Sequence, residues 1–180
     1  MPLRALRDKP PVLACHLVDA PALMAVRGCC DPGQFPELLV SLSELVEEGT
    51  LRFPRAVIND LRVYARGEQI TAWAIGVGRR VRDYAAFADD KLVIMQMIQL
   101  EFGYDSGLED MDGNEPAIID LAATGHMFES MNKPFWMISE DRGSAPLRPT
   151  MEEICQFRTW PMLSASDGLK SLGLEQYLRQ

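Results

Sequence analysis

A chain of 180 residues that is 47% hydrophobic and 24% charged can bury one sizeable core, which excludes a disordered polymer and favours a single domain. Its net charge of −8 argues against a protein that grips nucleic acid over its whole surface, although an acidic metal site beside a local basic rim stays open. No apolar run approaches the ~20 residues of a membrane-spanning helix. Four cysteines without a Cys-x-x-Cys pair, and two histidines (His16 and His126), suggest neither a disulfide scaffold nor a structural zinc site.

Residues 1–11 read as a short leader. The apolar stretch behind them is too short for a signal peptide, contains His16 and runs straight into Asp19, so a cytoplasmic protein is expected. About residues 12–18 form a first strand. "PELLVSLSELVEEG" spaces Leu38, Leu39, Leu42, Leu45 and Val46 as a helix does, with Gly49 as its C-cap. "TLRFP" is a second short strand closed by Pro54, and "RAVINDLRVYARG" a helix with Val57, Leu61 and Tyr64 on one face. Two helices follow, carrying Trp73, Phe87, Ile94, Ile98 and several methionines, which read as core. After a Gly/Asp-rich loop, "EPAIIDLAATGHMFESMN" is helical with Pro116 at its first position. "KPFWMIS" is a strand, "TMEEICQF" a short helix, "WPML" a last strand and "SASDGLKSLGL" a last helix. Strands alternating with helices define an α/β domain with a central, mainly parallel sheet flanked by helices.

The acids carry the functional signal. Asp19 follows an apolar strand and precedes a helix, so it reads either as an N-cap or as a ligand-binding carboxylate. Asp141 holds the matching place after "FWMIS", and in open α/β sheets ligands bind beyond the carboxyl ends of the strands. Asp60 shares a helix face with Val57, where a carboxylate needs a metal or an arginine partner such as Arg55 or Arg82. Glu115 stands at the mouth of a helix, in line with Ile118, Ile119 and Ala122. Asp120 is turned about 140° away at ~100° per residue. It and Asp112, with Asp110 weaker still, are alternates for this third acid. Clustered carboxylates without neutralising partners call for a hard divalent cation, Mg²⁺ or Mn²⁺, and such a site suits phosphodiester hydrolysis.

These blocks resemble the PIN-domain family, RNase-H-like metal-dependent nucleases that include the VapC-type toxins. "LVDAPALMA", "FPRAVINDL", "EPAIIDLAATG" and "FWMISED" are similar to its four motif blocks in order and spacing, and "LRPTMEEICQFRTWPMLSASDGLKSLGL" is similar to the closing segment of a less studied branch. The resemblance implies a single-domain PIN-like fold over residues 12–180, with 70–110, which no motif covers, as a helical cap. It implies an acidic quartet of Asp19, Asp60, Glu115 and Asp141 holding Mg²⁺ or Mn²⁺, supported by Ser139. Three departures stand out: Pro21 replaces an asparagine, Asp60 a glutamate and Glu115 an aspartate.

The expectation is a metal-dependent ribonuclease hydrolysing RNA, with Arg79, Arg80, Arg82 and Arg142 as contacts to the phosphate backbone. A role as the toxin of a toxin–antitoxin pair would add a small antitoxin protein as partner, and the Met-rich helices offer a homodimer face. The alternatives are a catalytically weak or inactive PIN-fold binding or scaffold module, and an α/β domain whose acids are merely solvated.

Overall fold

The computed structural model describes residues 14–78, 88–104, 117–145 and 148–179. Among these, β1 (Cys15–Val18), β2 (Leu51–Arg52), β3 (Phe135–Ile138) and β4 (Met162–Leu163) form one sheet in the order β2-β1-β3-β4. Every pairing is parallel, with Cys15 opposite Phe135 and Val18 opposite Ile138 at the centre. Parallel neighbours need long crossovers. These are α1 (Ala20–Cys29) and α2 (Phe35–Glu48) after β1, α3 (Arg55–Tyr64), α4 (Gln69–Gly78), α5 (Ala88–Phe102) and α6 (Ala117–Ser130) after β2, and α7 (Met151–Arg158) after β3. Helix α8 (Ala165–Ser171) and a 3₁₀ turn at Glu175–Tyr177 complete the chain. The α/β class expected from the periodicity is therefore the class observed, with a described sheet that is wholly parallel.

β3 reads as an unbroken apolar run and β1 as an apolar run interrupted by His16, because helices cover both faces of the sheet. Leu17 and Met137 point to one side, into a core with Ile94 and Ile98 of α5, Ile119 of α6 and Ile154 of α7. Val18 and Ile138 point to the other, onto Leu23 of α1, Leu38 of α2, Leu61 of α3 and Leu169 of α8. The crossover leaving β1 and the one leaving β3 thus pack on opposite faces, and the crevice between these two strands is the switch point of the sheet. This is the feature that positions the site.

Local signals in the sequence do what their chemistry requires. Gly49 ends α2 in the left-handed region (φ 78°), where a side chain would be strained. Thr150 and Glu153 form a reciprocal capping box at the start of α7. Met97, Met137, Met151 and Trp73 are core, and the Trp73 indole N–H donates to Ser43 Oγ at 2.9 Å. All four cysteines are free thiols, with Cys30 and Cys155 buried. One expectation is corrected: Tyr64 does not share the buried face of Val57 and Leu61. It is 67% exposed, because Ile58 takes the inward place beside them. Phe87, Pro116 and most of the two segments around them lie outside the described residues. Among the described residues, no helix is long and apolar enough to cross a membrane.

Helix α8 closes over the end of β3 by a backbone-to-side-chain approach that only glycine permits. A Cβ at Gly168 would stand 2.7 Å from Ile138 Cδ1, 2.8 Å from Cγ2 and 2.9 Å from Cγ1. Gly168→Val is expected to lower stability by about 2–3 kcal/mol through overpacking. Gly76→Ala in α4, where nothing lies within 4 Å of the new Cβ, is expected to raise it by about 0.5–1 kcal/mol. Paired thermal melts check both, and opposite signs are the required result.

Candidate active site at the sheet switch point

The site is built by the residues that leave the two central strands. Asp19 follows β1 directly and Ser139-Glu140-Asp141 follow β3. The ladder carries on into this edge, since the Asp19 N–H donates to Ile138 O at 3.2 Å. Asp19 and Ser139 are 7% and 0% exposed, so their polar atoms depend on partners inside the protein. Those partners form a chain. The Asp141 backbone N–H donates to Ser139 Oγ at 3.0 Å, and the Ser139 hydroxyl donates in a short bond to Asp19 Oδ2. Asp19 Oδ1 accepts the Ala22 N–H at 2.7 Å, which makes Asp19 the N-cap of α1. The cap and the bond from Ser139 use different oxygens of one carboxylate.

Asp141 is secured from the other side. Arg148 grips it with both arms, Nη1 at 2.7 Å from Oδ2 and Nη2 at 3.3 Å from Oδ1, and the Met151 N–H at the first position of α7 donates to Oδ2 at 2.9 Å. Glu140 turns away and accepts the Ala165 N–H of α8 at 2.6 Å. Arg142, 41% exposed, lies 3.7 Å from Glu140 and 3.3 Å from Glu152. A groove of roughly 450 Å³ runs along α7 and β4, lined by Arg142, Glu152, Cys155, Gln156, Trp160 and Met162 among others.

Burial is the largest influence on Asp19 and pushes its carboxyl up to about 7. The bonds from Ser139 and Ala22 act against this rise, and the charge of Asp141 adds to it. Burial first, and then the charge of Asp19, push the Cys155 thiol up to about 12, so it is not a thiolate nucleophile at neutral pH.

The remaining sequence candidates stand as follows. Asp60 is half-buried on α3. Among the described residues no three His, Cys, Asp or Glu side chains converge closely enough to hold a metal ion, so Asp19, Asp60 and Asp141 alone do not form such a group. Asp120 is ion-paired with Lys91 of α5. Glu115, Asp110, Asp112, Arg79, Arg80 and Arg82 lie outside the described residues. The donors present, carboxylate and hydroxyl oxygens at the switch point, fit a hard divalent cation in kind. In arrangement, the structure brings together Asp19, Ser139 and Asp141.

Arg148 is the residue that sequence reasoning missed. Its signal was present: it stands before Pro149, which favours an extended backbone at the preceding residue, and just ahead of the Thr150 cap, where a side chain can reach back to the end of β3.

Compared with protein-family models, with curated proteins and with solved structures, the chain finds no match in any of the three. What the fold and site define is a parallel α/β domain whose switch point holds two aspartates bonded to one buried serine, Asp19 through its carboxylate and Asp141 through its backbone N–H.

The raised Asp19 pKa has a consequence for stability. Between the ordinary value of 3.8 and about 7 the folded chain holds a proton that the unfolded chain has lost. This group's contribution is therefore complete below about pH 4 and is lost as pH rises through 7, at a slope approaching ~1.4 kcal/mol per pH unit. Asp19→Asn is expected to remove that slope. Ser139→Ala is expected to move its upper end to higher pH and to cost about 1–3 kcal/mol by leaving the Asp141 N–H unpaired. Denaturant melts from pH 4 to 9 measure both. An unchanged slope in Asp19→Asn contradicts the assignment.

Proposed function

We propose that this protein is a Mg²⁺- or Mn²⁺-dependent ribonuclease of the PIN type, hydrolysing RNA phosphodiester bonds at the β1/β3 edge. The observation that carries the reading is the delivery of Asp19 and Asp141 by adjacent parallel strands to one switch point, linked through Ser139. The order of the four motif blocks and the parallel α/β architecture support it.

On this reading Asp19 and Asp141 would hold the cation, with Glu115 and Asp60 completing the quartet that the resemblance implies. A bound divalent cation supplies charge neutralisation at the scissile phosphate and a lowered pKa for the attacking water. Ser139 fixes the Asp19 carboxylate by donating to one of its oxygens. The Ala22 N–H fixes the other, so the group presents itself in one orientation. Burial raises the Asp19 carboxyl to about 7, so a divalent cation held there would displace its proton near neutral pH. On this reading Arg142, which lines the groove, would be one contact to a substrate phosphate. In this role the protein acts in the cytoplasm, and the toxin form of the reading adds an antitoxin as partner.

A second reading, an inactive or weak PIN-fold binding or scaffold module, draws on two observations. Arg148 already neutralises Asp141, and Pro21 removes a backbone N–H from the first turn of α1. A homodimer through the Met-rich helices belongs to either reading.

Cleavage of single-stranded RNA in Mn²⁺ separates the two. The wild-type chain is expected to cleave, and Asp19→Asn to lose activity by about 100-fold or more, since losing even an outer-shell partner of a metal ligand costs about 10–100-fold. Equal cleavage by both proteins would remove Asp19 from the mechanism, and no cleavage by either would favour the binding module.

A further inference from the structure

At the switch point one of the two acids is held by an arginine. Both oxygens of Asp141 are engaged by Arg148, and Oδ2 also accepts the Met151 N–H. The two-armed guanidinium–carboxylate grip is among the strong charge-assisted hydrogen bonds. Arg148 Nη1 also donates to Pro149 O at 3.0 Å, and the Glu152 N–H donates to Asp141 O at 3.1 Å. The end of β3 and the start of α7 are thereby tied together around one carboxylate.

A divalent cation at Asp141 meets two obstacles. Three of the four in-plane acceptor positions are already used, two on Oδ2 and one on Oδ1, and a guanidinium a few ångströms away repels the incoming charge. Arg148 also has somewhere to go. Its side chain is 32% exposed while that of Asp141 is 16% exposed, so the arginine lies on the solvent side of the pair. The Met151 N–H is fixed by the helix and stays, holding Asp141 in place when the guanidinium leaves.

We propose that Arg148 is a positioning residue that sets the cation affinity of the site, holding Asp141 in the cation-free protein and withdrawing when a divalent cation takes that carboxylate. The inference rests on the metal-dependent reading above. Once withdrawn, the guanidinium stands beside the site with a fork that matches a phosphate as well as it matched the carboxylate. One side chain then serves as internal counter-ion in the empty site and as phosphate contact in the loaded one.

The test is calorimetric titration of the full chain with Mn²⁺ at one fixed pH. Arg148→Gln is expected to bind Mn²⁺ roughly tenfold more tightly than wild type. Arg148→Lys, which keeps the charge and loses the fork, is expected to fall between them, and Asp141→Asn to bind least. A gain in affinity is a result that mere structural damage does not produce. Equal or weaker binding by Arg148→Gln, with wild-type binding intact, overturns this inference and leaves the metal reading standing. Absence of binding in wild type and in every variant overturns both. Should Arg148→Gln fail to fold, the Lys variant decides alone: tighter binding than wild type supports the inference, and equal or weaker binding overturns it.

Discussion

A hydrogen-bond chain three residues long organises the carboxyl edge of this protein: the Asp141 N–H to Ser139 Oγ, and the Ser139 hydroxyl to Asp19 Oδ2. It crosses from β3 to β1 at the one place where the flanking crossovers diverge. Burying a carboxylate and a hydroxyl there is costly unless each polar atom finds a partner. The chain supplies those partners, and the rest of the fold protects it. The sheet register sets Val18 opposite Ile138, so the residues that follow emerge side by side. Helix α1 begins where Asp19 can cap it, α7 begins where Asp141 can receive its first N–H, and α8 closes over Ile138 through Gly168. Three helix starts or contacts converge on one edge because its polar groups have to be satisfied from several directions.

The elements that were legible in the sequence are those with a strong local cause. β1 and β3 were visible as apolar runs because both faces are covered. The end of α2 was visible in Gly49, whereas the Thr150–Glu153 capping box that starts α7 was not singled out. Tyr64 was misplaced because helical spacing permits several inward faces, and which one is used depends on what packs against it, here through Ile58. Asp19 shows why a single residue resists reading. An acid between a strand and a helix has the same signature as a cap and as a ligand, and the structure uses its two oxygens for different purposes. The pairing of Ser139 with Asp19, 120 positions apart in the chain, was anticipated only as a supporting role, since contact across strands follows from register rather than from local spacing. Arg148 was missed for a related reason: its partner lies behind a turn, and its sequence surroundings advertise a helix start rather than a site.

The electrostatics of the edge reconcile an acidic protein with a proposed polyanionic substrate. The two acids are not left to repel each other. Asp19 is held near neutrality by burial, and Asp141 is balanced by Arg148. Divalent cation binding, in the proposed function, would replace both devices at once, releasing a proton from one acid and a guanidinium from the other. In the scaffold alternative the arginine stays on Asp141, and the edge remains a structural polar knot.

The central claim is that a divalent cation binds at Asp19 and Asp141. The most direct measurement is the backbone amide NMR spectrum of the full chain with substoichiometric Mn²⁺, whose paramagnetism broadens only nearby signals. The account predicts broadening centred on the amides of Asp19, Ala20, Ala22, Ser139, Glu140 and Asp141. Sharp signals at these residues, with broadening confined to other acidic positions such as Glu47 and Glu48, would contradict it.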